Sequence, residues 1–151
     1  IAHIGKAKKV ADLFSGIGTF ALRLARSSAV HAVESDEKAV KSLDFAARNT
    51  QGLKPLTVER RDLFRRPLMT SEFKAFDAVV FDPPRAGAEA QCAELAKSQV
   101  KKIVAVSCNP LTLARDLAIL TAGGYRIDQV TPIDQFLWSP HVEAVATLSK
   151  K

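Results

Sequence analysis

The chain has 151 residues, 47% hydrophobic and 25% charged, with a formal net charge of +6. That length supports a single domain, residues 1–151, with a sizeable core; no apolar run approaches the about 20 residues of a membrane span, and no charged-then-apolar leader opens the chain. The two cysteines, Cys92 and Cys108, lack metal-ligand spacing and suggest no disulfide framework, which leaves reduced thiols, no bound metal in this segment and a cytoplasmic setting as the expectation.

Short β-rich runs alternate with helical stretches. "KVADLF" (9–14) reads as a strand that ends in the glycine-rich turn of "DLFSGIGTF", and "GTFALRLARS" (18–27) then carries helical spacing. Gly16 and Gly18 let the backbone turn tightly and approach a ligand. Asp12 lies inside the apolar strand, where an unpaired carboxylate is costly, so it reads as a group that fixes the loop or a ligand's amino group. "AVHAVES" (29–35) is a second strand with Glu34 at its end, suited to accept both hydrogen bonds of a ribose diol. "DEKAVKSLDFAARNT" (36–50) is an amphipathic helix with Asp36 as its N-cap. "PLTVERR" (55–61) is a weaker strand; Asp62 after it could meet an adenine amino group or pair with Arg60 or Arg61.

"FDAVVFD" (76–82) is a buried strand closed by Pro83 and Pro84, which stiffen the exit and hold Asp82 and Arg85 at a crevice mouth. "AGAEAQCAELAKS" is helical, with Cys92 inside it as packing or surface. "KKIVAVS" (101–107) is another buried strand. Cys108 follows it directly, ahead of the helix around "LTLARDLAIL", whose partial positive charge favours a thiolate. "YRIDQVTPI" and "HVEAVATLS" follow with no helix between them and read as an antiparallel pair.

This order predicts an α/β fold: a doubly wound, mostly parallel sheet closed by an antiparallel strand pair, with ligands bound outside the carboxyl ends of the strands. Asp12, the Gly-x-Gly turn and Glu34 together point to S-adenosylmethionine, whose sulfonium cation suits nearby carboxylates. NAD is the competitor, but its pyrophosphate prefers a third glycine where Ala21 stands. Lys6, Lys8 and Lys9, then Arg60, Arg61, Arg65 and Arg66, then Lys101 and Lys102 form basic clusters suited to a polyanion such as RNA.

Four segments, "DLFSGIGTFAL", "FDPPRAGA", "VSCNPLTLARDL" and "DQFLWSPHVEAV", occur in an order and spacing that resemble the methyltransferase domain of the RNA uracil-carbon-5 methyltransferases, which make 5-methyluridine in transfer and ribosomal RNA. The resemblance runs from about Lys9 onward. It implies a Rossmann-like class I methyltransferase fold and S-adenosylmethionine as cofactor, contacted by Phe14 and Thr19 around the glycine loop and by Glu34, Asp62 and Asp82. It also implies that Cys108 adds to carbon 6 of the base, that Glu143 removes the carbon-5 proton, and that Arg85 helps hold the uracil or its enolate oxygen. Where the family commonly has Asp-Met-Phe-Pro, this chain has Gln135, Leu137 and Trp138, which alters the base pocket; His141 is given no role. Full-length members often add an N-terminal RNA-binding domain and a central segment. This chain starts at Ile1, with Met69 its one methionine, and so reads as the C-terminal catalytic part of a longer protein. An amino-group nucleic-acid methyltransferase using Asp-Pro-Pro without a covalent step, and a non-catalytic S-adenosylmethionine- or RNA-binding module, stay open.

Overall fold

The computed structural model describes residues 2–134, 138 and 142–150. The apolar runs become strands β1 (Lys9–Leu13), β2 (Ala29–Glu34), β3 (Leu56–Arg60), β4 (Ala78–Phe81), β5 (Lys102–Ser107), β6 (Arg126–Ile133) and β7 (Glu143–Ser149). They form one sheet in the order β3-β2-β1-β4-β5-β7-β6. The first five are mutually parallel, and β7 inserts antiparallel between β5 and β6. The mostly parallel sheet with an antiparallel closing pair is therefore as expected.

Helices α1 (Ala21–Leu24) and α2 (Glu37–Asn49) cover one face; α3 (Glu89–Ala96) and α4 (Pro110–Ala122) cover the other. Alternation along each strand sends side chains both ways. Val10, Val80, Val104 and Val106 join Leu24 and Leu43 on the first face, while Leu13, Phe81 and Ile103 join Leu95, Leu113 and Leu120 on the second. The Asp36 carboxylate accepts from Ala39 N at 2.7 Å and starts α2 as predicted.

One expectation is corrected. The helical spacing over 18–27 yields only one turn, α1, because the glycine turn reaches Phe20 and the Ser27 and Ser28 amides both fold back onto the Leu24 carbonyl. Between β3 and β4, where no helix was predicted, the described residues hold a 3-10 turn, Glu72–Ala75. β6 is exposed along its whole length.

Register aligns the carboxyl ends. Leu13 pairs with Val33 and Phe81, and Phe81 pairs with Ala105. Phe14, Glu34, Asp82 and Cys108 consequently emerge on one edge of the sheet. The antiparallel pairing of Ser107 with Ala144 leaves Cys108, the residue after β5, and Glu143, the first residue of β7, next in register.

Candidate active site

A cavity of about 740 Å³ opens at that edge. Asp82 after β4, Cys108 after β5, Glu143 at the start of β7 and Thr19 from the glycine turn all line it, over an apolar floor of Val80, Val104, Val106 and Val145. Cys108 is half-buried, next to the N-cap of the 13-residue helix α4. The Asn109 side chain caps that helix by accepting from Leu111 N at 3.1 Å. Cys92 is buried inside α3, and burial pushes its thiol up, which suits a packing role.

Asp82 is half-buried; burial first, then the nearby Glu143 carboxylate, pushes its carboxyl up to about 6. Asp12 is fully buried, and no hydrogen bond of ordinary geometry reaches either of its oxygens. Burial pushes it up to about 8, with Asp82 and Glu34 acting in the same direction and the Ala21 amide opposing them. The Ser15 hydroxyl, three residues on, is likewise buried without a partner. Such orphaned buried polar groups are uncommon and call for an explanation such as a ligand or water.

Glu34 does more than the sequence suggests. Its Oε2 accepts from Gly16 N at 2.9 Å, and its Oε1 accepts from Ser35 N at 2.6 Å and Asp36 N at 2.8 Å. One carboxylate therefore ties the glycine turn to the entry of α2. Gly18 has φ +94°, and a Cβ there would drive into Leu43 Cδ1 of α2, so this glycine lets the turn pack on the helix. Phe14 also holds a positive φ of 59°, an uncommon strain for an aromatic residue directly after a strand.

Asp62 forms neither of the ion pairs considered for it. Its Oδ1 accepts from Phe64 N at 2.9 Å and Arg65 N at 3.3 Å, shaping the turn after β3. That turn brings Phe64, which sequence reading passed over, to 5.4 Å from Phe14 between ring centroids. Arg60 and Arg61 point elsewhere, to Glu37 and to Glu59 and Glu72 respectively. Arg85 is exposed and, among the described residues, is not part of the cavity wall. Trp138 is fully exposed; Gln135, Leu137 and His141 lie outside the described residues. Arg23, also missed in the sequence, lines the cavity as its one cation among the described residues.

Comparisons with known proteins bear on the fold and the family. The chain is 79% identical over 150 residues to an uncharacterised RNA methyltransferase of Agrobacterium fabrum, a match covering 99% of this chain and 36% of that protein. It is 40% identical over 144 residues to the 23S rRNA (uracil-C5)-methyltransferase RlmD of Chromohalobacter salexigens, covering 95% of this chain and 30% of that one. The crystal structure of the Pyrococcus abyssi tRNA (uracil-54, C5)-methyltransferase with S-adenosyl-L-homocysteine superposes with a TM-score of 0.78 at 35% identity, over 93% of this chain and 34% of that chain. The chain thus spans about a third of the length of the relatives it matches. The tRNA (uracil-5-)-methyltransferase family signature matches residues 3–151, and the chain, with its Rossmann-like class I methyltransferase fold, belongs to that family.

Proposed function

We propose that this segment transfers a methyl group from S-adenosylmethionine to carbon 5 of a uridine in transfer or ribosomal RNA, through a transient bond between Cys108 and the base. It serves as the methyl-transferring domain of a longer, cytoplasmic protein. The observation that supports this reading best is the meeting of Cys108, Glu143 and Asp82 in one cavity, the first two each flanking the Ser107–Ala144 pair of β5 and β7.

The residues fit the cofactor. Asp82 and Glu34 place carboxylates at the strand ends where a cationic ligand would lie, and Asp12 is buried behind them without a hydrogen-bond partner. Gly16, Gly18 and Thr19 with Phe14 form the turn against which its amino-acid and sugar parts would lie. Glu34 would accept from the ribose and Asp62 from the adenine amino group. Bound there, the cofactor supplies an electrophilic methyl on sulfur and departs as a neutral thioether.

Carbon 5 of uracil is a weak nucleophile toward a methyl group. Addition of the Cys108 thiolate to carbon 6 puts the electron pair into an enolate, with density at carbon 5. The amino end of α4 faces the developing sulfur anion favourably. Arg85, three residues after Asp82 and outside the cavity wall, would turn toward the base to hold it or its enolate oxygen. Once carbon 5 carries the methyl, Glu143 takes the remaining carbon-5 proton. The electrons of that C–H bond restore the carbon 5–carbon 6 double bond and expel Cys108 as thiolate, so the nucleophile is regenerated and one proton is released.

The test uses the intact parent protein, RNA carrying 5-fluorouridine and the methyl donor. Fluorine does not leave as a proton does, so a covalent RNA adduct on Cys108 is expected by mass spectrometry. Glu143→Gln should accumulate the same linkage with ordinary RNA. Undiminished turnover by Cys108→Ala would refute the covalent step. Offering transfer and ribosomal RNA side by side, then locating the 5-methyluridine, identifies the substrate.

A further inference from the structure

Two motifs far apart in sequence are joined by a dense set of hydrogen bonds. The turn after β4, residues 82–88, leaves the sheet beside α4. The Arg85 carbonyl accepts from Asn109 Nδ2 at 3.0 Å and from Thr112 Oγ1 at 3.1 Å. The next carbonyl, Ala86, accepts from Arg115 Nη2 at 3.0 Å. The Ala88 amide donates to Asp116 Oδ2 at 2.6 Å, and Asp116 is almost wholly buried and also accepts from Arg115 at 2.8 Å. Between these contacts Gly87 has φ +77°, and a Cβ there would come within 2.8 Å of Arg115 Nη2 and Asp116 Oδ2. Three of the four residues from Arg85 to Ala88 are thus bonded to α4, and the fourth is a glycine because the helix side chains lie so close.

Asn109 occupies the pivotal place. Its Oδ1 caps α4, its Nδ2 holds the Arg85 carbonyl, and its backbone continues directly from Cys108. Asp82 and Cys108 lie at the ends of adjacent strands; the Asn109 amide closes a short ring from Cys108 across to the turn that carries Asp82 and Arg85. A side chain with both an acceptor and a donor is needed to do both jobs.

We propose that Asn109 is a positioning residue for methyl transfer, fixing the Asp82–Arg85 turn against Cys108; this rests on the methyltransferase reading above. Thr112 supports it on the same acceptor.

The experiment compares Asn109→Asp with wild type in the intact parent protein. Aspartate caps a helix as well as asparagine, but when ionised it presents no donor to the Arg85 carbonyl. Misplacement of reacting groups by about 1 Å can lower a rate about 100-fold. The expected result is a fall in kcat of about 10- to 100-fold, with the KM for RNA and the cofactor Kd within about twofold of wild type and little change in melting temperature. Thr112→Val should lower kcat less. The slower formation of the 5-fluorouridine adduct should parallel kcat. Asn109→Ser, which keeps a capping oxygen but is too short to reach Arg85, gives a second route should the aspartate variant fold poorly, and the same fall in kcat is expected. Wild-type kcat in a folded Asn109→Asp or Asn109→Ser protein overturns the proposal, as does a loss spread equally over KM, Kd and melting temperature. Turnover by Cys108→Ala would instead overturn the covalent step, while the Asn109 comparison, read on methyl transfer itself, would still decide the positioning role.

Discussion

Two aspartates, Asp82 in the cavity wall and Asp12 buried in β1, have carboxyls pushed up by burial, and each has a consequence in pH. Asp12 is pushed from 3.8 up to about 8 and Asp82 from 3.8 up to about 6. A carboxyl that binds its proton more tightly folded than unfolded stabilises the fold while protonated. That contribution is complete below about pH 4 and is lost as pH rises, through about 6 for Asp82 and about 8 for Asp12. The melting temperature of the cofactor-free protein should therefore fall between about pH 4 and 8, and Asp12→Asn should remove the part of that fall above about pH 6. Binding of a cationic cofactor runs the other way, since it prefers ionised neighbours. We predict that its affinity rises from pH 5 to 7, and that Asp82→Asn flattens the rise. Calorimetry across that range checks both; a wild-type affinity independent of pH would refute the role given to Asp82.

At the level of elements, the glycine turn is held from two sides, by the Glu34 carboxylate on Gly16 and by Leu43 of α2 against Gly18. Gly18→Ala should destabilise the protein by about 1–3 kcal/mol, because it overpacks a buried contact and strains the backbone. Glu34→Gln should weaken cofactor binding at least about tenfold and also lower the melting temperature, since one oxygen serves the turn and the other serves α2. A Glu34→Gln protein of unchanged melting temperature would show that the carboxylate acts on the ligand alone. Much of this was legible in the sequence. Continuous apolar strands, their alternation with helices and the absence of a helix before "HVEAVATLS" set the sheet, and strand-end logic brought Glu34, Asp82 and Cys108 to one edge; Glu143, at the start of an antiparallel strand, was reached only through the family resemblance. The rest depended on contacts through space. Helical spacing over 18–27 could not reveal that the glycine turn consumes its first half. The bonding of residues 85–88 to Asn109, Thr112, Arg115 and Asp116 joins segments with no local signal for each other, and the nearness of Phe64 to Phe14 arises from the Asp62 turn.

Across the whole molecule, the net charge of +6 invites an RNA surface, yet the folded chain uses part of that charge internally. Among the four central arginines, Arg60 pairs with Glu37 at 3.0 Å. Arg61 is largely buried, pairs with Glu72 at 2.8 Å and donates to the Arg66 and Pro67 carbonyls. Arg65 and Arg66 are exposed and form no ion pair among the described residues. The cluster that looks uniform in sequence therefore divides into a structural half and a half open to phosphate. Removing one cation from a phosphate reduces the slope of log affinity against log salt by about 0.7–0.9. In the intact parent protein, Arg65→Gln with Arg66→Gln should lower RNA affinity uniformly across sequences and shrink that slope by about 1.4–1.8. Arg61→Gln should leave the slope unchanged and instead cost about 1–3 kcal/mol of stability, by removing charge-assisted hydrogen bonds. Filter binding over a salt series, paired with thermal denaturation, separates the two effects. A slope reduced by Arg61→Gln but not by the Arg65 and Arg66 pair would mean that RNA displaces Glu72 from Arg61, and that the internal pairing seen here is the resting arrangement of a phosphate-binding group that is freed on association.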